Sequence, residues 1–178
     1  TDQEAHSLAG AADLYAGTGD YSALRGHAPL KRAAEVAVAG GHHLLMVGPP
    51  GSGKSMAASL LPSVLPPLTQ AEAIEATRLH SLAGTLPAGE GLLRARPYRA
   101  PHHGATVEGI LGGGRSVEPG EASLAHRGVL FLDEAPEFRR NVLQGLREPL
   151  EERRVRISRA GRTYWFPAAV QLVLACNP

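Results

Sequence analysis

The residues most able to do chemistry form a glycine-rich loop at 48–55, which reads Gly-Pro-Pro-Gly-Ser-Gly-Lys-Ser. This loop satisfies the spacing G-x-x-x-x-G-K-[ST] and lies between the apolar run 44–47 and a helix-compatible segment that starts at Met56. Because glycines let the backbone wrap around a phosphate, consecutive N–H groups and the N-terminus of the next helix can face the anion. The pattern predicts a site for ATP with Mg²⁺, and its flanks disfavour a chance match in a surface turn.

Each part of the loop has a distinct expected role. Lys54 would reach the β- and γ-phosphates as a positive charge, and Ser55 would place its hydroxyl on Mg²⁺. The nucleotide contacts expected from the loop and the start of the helix are Pro49, Pro50, Gly51, Ser52, Gly53, Lys54, Ser55 and Met56.

An acidic pair, Asp133 and Glu134, follows the apolar run 129–132. At the carboxyl end of a parallel strand, where α/β sheets bind ligands, Asp133 would hold Mg²⁺ through water and Glu134 would polarise the attacking water. The pair could instead be the charges of a helix N-terminus, an alternative that the phosphate loop disfavours. Asn177, which follows the third apolar run, could orient the same water or be a turn residue.

The elements that must position these groups are three buried strands with helices between them. The runs 44–47, 129–132 and 170–174 are largely apolar at consecutive positions, which is typical of strands covered on both faces. A helix is predicted over Pro29–Ala39, since Pro suits its first turn and Gly40-Gly41 stops it. The fold class is therefore α/β, and 178 residues fit one domain.

Composition narrows the function classes. No apolar run approaches the ~18 residues of a membrane span, and no charged-then-apolar leader starts the chain, so we expect no membrane association. The single cysteine, Cys176, fits a cytoplasmic location. Residues 1–20, rich in Ala, Gly, Asp and Ser, are interpreted as a linker or lead-in.

Charge is unevenly distributed along the chain. Residues 139–162 hold eight Arg against three Glu, which is +5, and the whole chain is only +1. Within this segment Val155 and Ile157 alternate with Arg154, Arg156 and Ser158, so residues 153–162 predict a half-buried hairpin strand that turns near Ala160-Gly161. Arg154, Arg156 and Arg159 are candidates for DNA phosphate contacts. A solvated edge strand paired with Glu148, Glu151 and Glu152 is the alternative.

Aromatic and histidine residues invite two further interpretations. Tyr164-Trp165-Phe166 could stack nucleobases, although core packing is favoured. The pairs His42-His43 and His102-His103 should point to opposite faces of extended strands, so we expect structural hydrogen bonds from them and no metal site. A place for His102 or His103 near the nucleotide is a weaker possibility.

Six longer runs are more specific than these motifs: 24–27 (LRGH), 40–46 (GGHHLLM), 99–103 (RAPHH), 112–114 (GGG), 119–128 (PGEASLAHRG) and 157–160 (ISRA). Through them, over about residues 21–178, the chain resembles AAA+ ATPases of the magnesium-chelatase-like family, which includes a bacterial DNA branch-migration helicase. The resemblance implies a P-loop NTPase core, a three-layer αβα sandwich with a mainly parallel sheet. It also implies a second core helix with an inserted hairpin at Thr106–Gly128, and a hairpin before the sensor strand at Val155–Phe166.

The resemblance also assigns roles to single residues. Lys54 and Ser55 match the family's Walker A motif, Asp133 and Glu134 its Walker B motif, and Asn177 its first sensor. Residues Arg25 to His27, which include Gly26, match the stretch that lines the adenine pocket. The family commonly has Gln in place of His27, which leaves the backbone there free to contact the base.

Family members form rings, expected to be homohexamers, with each nucleotide between neighbouring subunits. They begin with a domain resembling the Lon protease fold and continue into an arginine finger, a last core strand and a helical lid with a second sensor. We therefore interpret 21–178 as an incompletely represented ATPase core that hydrolyses ATP poorly alone. The leading hypothesis is a DNA motor ATPase. The alternatives are a magnesium-chelatase-type subunit that remodels a protein partner, and a nucleotide-binding switch without turnover.

Overall fold

The computed structural model describes residues 19, 21–86, 89 and 91–178. In chain order its α-helices are α1 (Ala28–Gly40), α2 (Lys54–Leu60), α3 (Gln70–Leu82), α4 (Val107–Leu111), α5 (Glu121–Leu124), α6 (Arg140–Gly145) and α7 (Arg147–Glu152). Its strands are β1 (Leu44–Val47), β2 (Tyr98–Arg99), β3 (Gly112–Gly113), β4 (Glu118–Pro119), β5 (Val129–Leu132), β6 (Arg154–Arg159), β7 (Arg162–Pro167) and β8 (Gln171–Cys176). The linker expected at 1–20 lies outside the described residues, apart from Gly19.

The main sheet is parallel and has the order β1-β8-β5-β2. All three predicted strands are present, and the third runs from Gln171 to Cys176. The predicted helix is confirmed as α1, which has proline in its first turn and ends at Gly41 in the left-handed conformation.

The two central strands separate two hydrophobic clusters. From β5, Val129 and Phe131 face one cluster while Leu130 and Leu132 face the other. Helices α1 and α2 contribute to the first cluster through Ala34, Ala57 and Ala58, and α4, α5 and α6 to the second through Ile110, Ala122 and Val142. This arrangement confirms the three-layer α/β architecture with a parallel central sheet.

Strand β1 departs from its prediction. Met46 is buried, but Leu45 and Val47 are 60% and 62% exposed. The expectation that β1 is covered on both faces is wrong for the described residues, because β1 lies at the edge of their sheet and only its Met46 face packs against the core.

Two small antiparallel hairpins lie outside the main sheet. Strands β3 and β4 pair between α4 and α5, where an inserted hairpin was expected. Strands β6 and β7 pair along their whole length, with Arg154 opposite Pro167 at one end and Arg159 opposite Arg162 at the other. The chain turns at Ala160-Gly161, as the alternation of residues predicted. No helix in the described part of the chain has the length and apolar character to cross a membrane.

Candidate active site

The phosphate loop connects β1 to α2. Gly51 and Gly53 adopt φ of 75° and 83°, a left-handed conformation that glycine takes without strain. Lys54 is the first residue of α2, and its Nζ donates to the carbonyl oxygens of Gly48 at 2.6 Å and Pro49 at 3.0 Å. The lysine amine is therefore held directly over the loop.

Two other strands bring their carboxyl ends to this loop. Ser55 Oγ donates to Asp133 Oδ2 at 2.6 Å, which ties α2 to the end of β5. Lys54 Nζ donates to Asn177 Oδ1 at 3.1 Å, just beyond β8. Because β8 lies between β1 and β5, groups far apart in the sequence meet at one edge of the sheet.

Glu134 is held in an unusual conformation. Its φ of 51° and ψ of 47° are left-handed, which costs a non-glycine residue roughly 1–3 kcal/mol. Its N–H donates to Asp133 Oδ1 at 2.9 Å, and its Oε2 lies 3.3 Å from Nδ1 of His103. The carboxylate is about half exposed and is oriented by His103.

His103 is a site residue, although its sequence context favours structural hydrogen bonds and gives a place near the nucleotide only as the alternative. The rings of His102 and His103 lie with centroids 4.0 Å apart, so the expectation of opposite faces is wrong for this pair. The reason is local: the chain turns here, and the N–H of Gly104 donates to His102 Nδ1. The only available signal was the run 99–103, because β2 is too short to predict a strand end.

Two adjoining cavities surround these groups. One, of about 360 Å³, is lined by the loop from Pro50 to Met56 with Asp133, Glu134 and Asn177. The second, of about 670 Å³, shares Ser55, Met56, Asp133 and Glu134 and extends to Tyr98, Phe131 and both histidines. The predicted loop, acidic pair and sensor residues thus line one continuous region.

The donor set suits a hard cation bound together with phosphate. Ser55 and Asp133 offer a hydroxyl and a carboxylate oxygen, the ligands that Mg²⁺ prefers. In the described ranges no three His, Cys, Asp or Glu side chains group as a metal site. Nucleotide oxygens and water would have to complete any coordination by Ser55 and Asp133.

The sequence matches the family described as magnesium chelatase, subunit ChlI, over residues 20–178. The chain belongs to this family.

Relatives of this magnesium chelatase family member share its sequence over most of the chain. The chain is 49% identical to the competence protein ComM of Haemophilus influenzae, with 89% of the chain and 31% of that protein covered. It is 46% identical to the uncharacterized protein YifB of Escherichia coli K12, with 89% and 31% covered. The chain therefore spans about a third of the length of these relatives.

The fold also occurs in a distant solved structure, NtrX from Brucella abortus in complex with ADP. That structure aligns with 99% of this chain and 32% of the NtrX chain at a TM-score of 0.59 and 16% identity. At this sequence identity the similarity shows a shared fold.

In this family member the expected adenine stretch lies beside the loop. Gly26 and His27 both have positive φ, and both are exposed where α1 begins. Buried Leu24 packs against the loop, since a Cβ added to Gly53 would lie 3.7 Å from Leu24 Cδ1. Contact of Gly26 and His27 with adenine stays a prediction.

The arginine-rich hairpin has two distinct faces. Arg156 lies opposite Trp165, so Arg154, Arg156 and Trp165 share the exposed face. Arg159 lies opposite Arg162 near the turn, on the face of Val155 and Ile157. The three candidate arginines therefore do not form one row.

Contacts on the exposed face match part of the alternative interpretation. Arg154 contacts Glu152 at 3.3 Å and Arg156 contacts Glu148 at 3.5 Å. Arg154 also lies over the Trp165 ring, 4.1 Å from its centroid. Core packing is confirmed only for Phe166, because Tyr164 and Trp165 are 36% and 46% exposed.

Residues 119–128 make buried or partly buried polar contacts with the elements around them. Glu121 makes a two-pronged ion pair with buried Arg99, at 2.6 and 2.8 Å, which joins α5 to β2. His126 Nδ1 accepts from the N–H of Ala169 and its Nε2 lies 3.1 Å from Glu75 Oε2, so Nε2 carries the proton. Burial lowers the pKa of His126, and the hydrogen bond from His126 lowers the pKa of Glu75. These contacts link residues 121–126 to β2, to α3 and to the segment before β8.

Proposed function

We propose that this chain is the ATP-binding and ATP-hydrolysing core of a ring motor that acts on DNA, of the ComM kind. The observation that carries the nucleotide part is the convergence of Lys54, Ser55, Asp133 and Asn177 on one glycine-rich loop. Such a loop at the carboxyl edge of a parallel sheet recognises phosphates through backbone N–H groups and a lysine.

The proposed chemistry is phosphoryl transfer from ATP to water. Bound Mg²⁺ would neutralise charge on the phosphate oxygens. Lys54 stabilises the same charge. Ser55 would place its hydroxyl on the ion, and Asp133 would hold the ion through water. Glu134 accepts the proton of the attacking water, and the Asn177 amide holds that water in line. Pro49, Pro50, Gly51, Ser52, Gly53 and Met56 enclose the phosphates, and Gly26 and His27 contact adenine.

The DNA part is supported by the hairpin and by the name of a relative. Arg154, Arg156 and Arg159 concentrate positive charge on one two-stranded hairpin, and guanidinium groups suit phosphate. A competence protein, ComM, is 49% identical to this chain. We further propose that full-length subunits form a homohexamer in the cytoplasm and that turnover requires groups from neighbouring subunits.

ATPase activity of a full-length protein containing this chain tests the proposal. We expect branched DNA to stimulate turnover, because DNA held at the hairpin would order the ring around its nucleotides. Stimulation by a chelatase partner protein instead of DNA would contradict it.

Substitution of the hairpin arginines gives a sharper test. Replacing Arg154, Arg156 and Arg159 with Ala should weaken DNA binding while ATP affinity is retained. The slope of log affinity against log salt should become shallower by about 0.7–0.9 for each lost phosphate contact. The control replaces Arg32, Arg78 and Arg94, which lie outside the hairpin, with Ala. It makes the same change in net charge and should alter DNA affinity little. Equal effects of both triple variants would contradict DNA contact at this hairpin.

A magnesium-chelatase-type ATPase that remodels a protein partner is the second candidate. It is favoured by the family description and by the ion pairs that Arg154 and Arg156 already make with glutamates. Unaltered DNA affinity and salt dependence in the hairpin variant would favour this candidate.

A further inference from the structure

Helix α7 places two carboxylates against the exposed face of the hairpin. Glu148 and Glu152 are four residues apart, so they lie on one side of the helix. Glu148 contacts Arg156 at 3.5 Å, and Glu152 contacts Arg154 at 3.3 Å. All four side chains are about half exposed, so water and ions reach both pairs.

Trp165 keeps these two arginines together. The guanidinium carbons of Arg154 and Arg156 lie 4.1 and 5.9 Å from the centroid of its ring, within the range of cation–π attraction. A cleft of about 520 Å³ between α7 and the hairpin is lined by Glu148, Glu152, Arg156 and Trp165 among others. Arg156 therefore lines this cleft, and acidic residues of α7 lie on its other side.

We propose that Glu148 and Glu152 occupy the places that phosphates of single-stranded DNA take on Arg156 and Arg154, so that α7 is a built-in competitor for DNA. This inference rests on the proposed function, since it assumes that the hairpin contacts DNA. Carboxylate and phosphate oxygens both accept hydrogen bonds from a guanidinium, and each of these ion pairs rests on a single close contact, so a phosphate can take the place of the glutamate.

The energetics suit a reversible competitor. Exposed ion pairs contribute little each, so phosphates at high local density can displace these glutamates. Trp165 remains partly exposed beside the arginines, and an indole ring stacks on any nucleobase.

The test compares Glu148→Gln/Glu152→Gln with wild type in the 178-residue chain. Glutamine keeps the shape and helix preference of glutamate but removes the charge. Binding of a labelled single-stranded oligothymidylate is measured by anisotropy. The emission of Trp165, the one tryptophan in the chain, reports on the same face. The matched control, Glu35→Gln/Glu137→Gln, changes the net charge equally away from the hairpin.

We expect the α7 variant to bind the oligonucleotide about two- to tenfold more tightly than wild type, and the control to change by less. DNA should quench Trp165 emission at lower concentration in that variant. Unchanged affinity, or equal gains in both variants, would overturn the competitor. If Arg154→Ala/Arg156→Ala still weakens binding in that case, the proposed DNA contact stands. If the arginine variant also has no effect, or wild type binds no DNA, the competitor and the DNA part of the proposed function both fail.

Discussion

At the scale of single residues, the candidate catalytic groups are already held in place by other parts of the chain. Lys54 is fixed by loop carbonyls and Asn177, and Asp133 accepts from Ser55. Glu134 lies beside His103 in a strained backbone conformation. Groups fixed in this way need little reorganisation when charge develops in a reaction.

Glu134→Gln separates nucleotide binding from turnover. In a full-length protein containing this chain, we expect ATP affinity within about twofold of wild type. Turnover should fall by about 10²–10⁴, because a neutral amide cannot accept the proton of the attacking water. Single-turnover assays with labelled ATP measure both quantities. Hydrolysis at the wild-type rate would show that another group is the base.

Residue types predicted the loop and the acidic pair because their chemistry requires fixed spacing. Lys54 and Ser55 lie in an eight-residue pattern, and Asp133 follows an apolar strand directly. The contact between His103 and Glu134 could not be predicted, since it depends on a turn at residues 103–104 that no local pattern indicates.

At the scale of elements, β5 was predictable and β2 was not. Val129–Leu132 is apolar throughout, whereas β2 consists of Tyr98 and an arginine whose charge is neutralised by Glu121. Helix α3 did carry a signal: Thr69 and Glu72 form a capping box at its start, yet the sequence analysis placed helices there without bounds. Strand order could not be predicted, because buried parallel strands have similar composition.

The start of β5 depends on close backbone packing at Gly128. A Cβ added to Gly128 would overlap the backbone of Pro97, which cannot move as a side-chain tip can. Gly128→Ala should therefore lower the free energy of unfolding by about 1–3 kcal/mol or more, measured by urea denaturation.

Gly91→Ala is the matched control for Gly128→Ala. A Cβ at Gly91 meets nothing within 4 Å, so its stability should stay within about 0.5 kcal/mol of wild type. Equal stability of the two variants would show that the backbone of Pro97 yields to the added methyl group.

At the scale of the whole molecule, a buried neutral histidine links stability to pH. His80 is fully buried between Thr85 Oγ1 and the carbonyl of Leu124, both at 2.9 Å. Burial lowers the pKa of His80 from 6.5 to about 4. The unfolded chain therefore binds more protons between these pH values, and folding is favoured above pH 6.5.

We expect the free energy of unfolding to fall as pH drops from 6.5 toward about 4. His80 contributes at most about 1.4 kcal/mol per pH unit to this change in the free energy of unfolding. His80→Gln, which keeps a donor for Leu124 but does not titrate, should be less stable at pH 7.5 and show a shallower dependence. Urea denaturation across this pH range measures the free energy of unfolding of both proteins. An unchanged slope against pH in His80→Gln would mean that other groups cause the pH dependence.

Binding of magnesium nucleotide at the loop 48–55 underlies every function proposed for this chain. Calorimetric titration with Mg-ATP and Mg-ADP tests it directly, with Lys54→Ala as the variant and Lys31→Ala, the other lysine in the chain, as the control. We predict binding by wild type and Lys31→Ala. Lys54→Ala should bind at least about tenfold more weakly, with a melting temperature within about 3 °C of wild type. Undiminished affinity in folded Lys54→Ala, or no binding by wild type, would contradict the account.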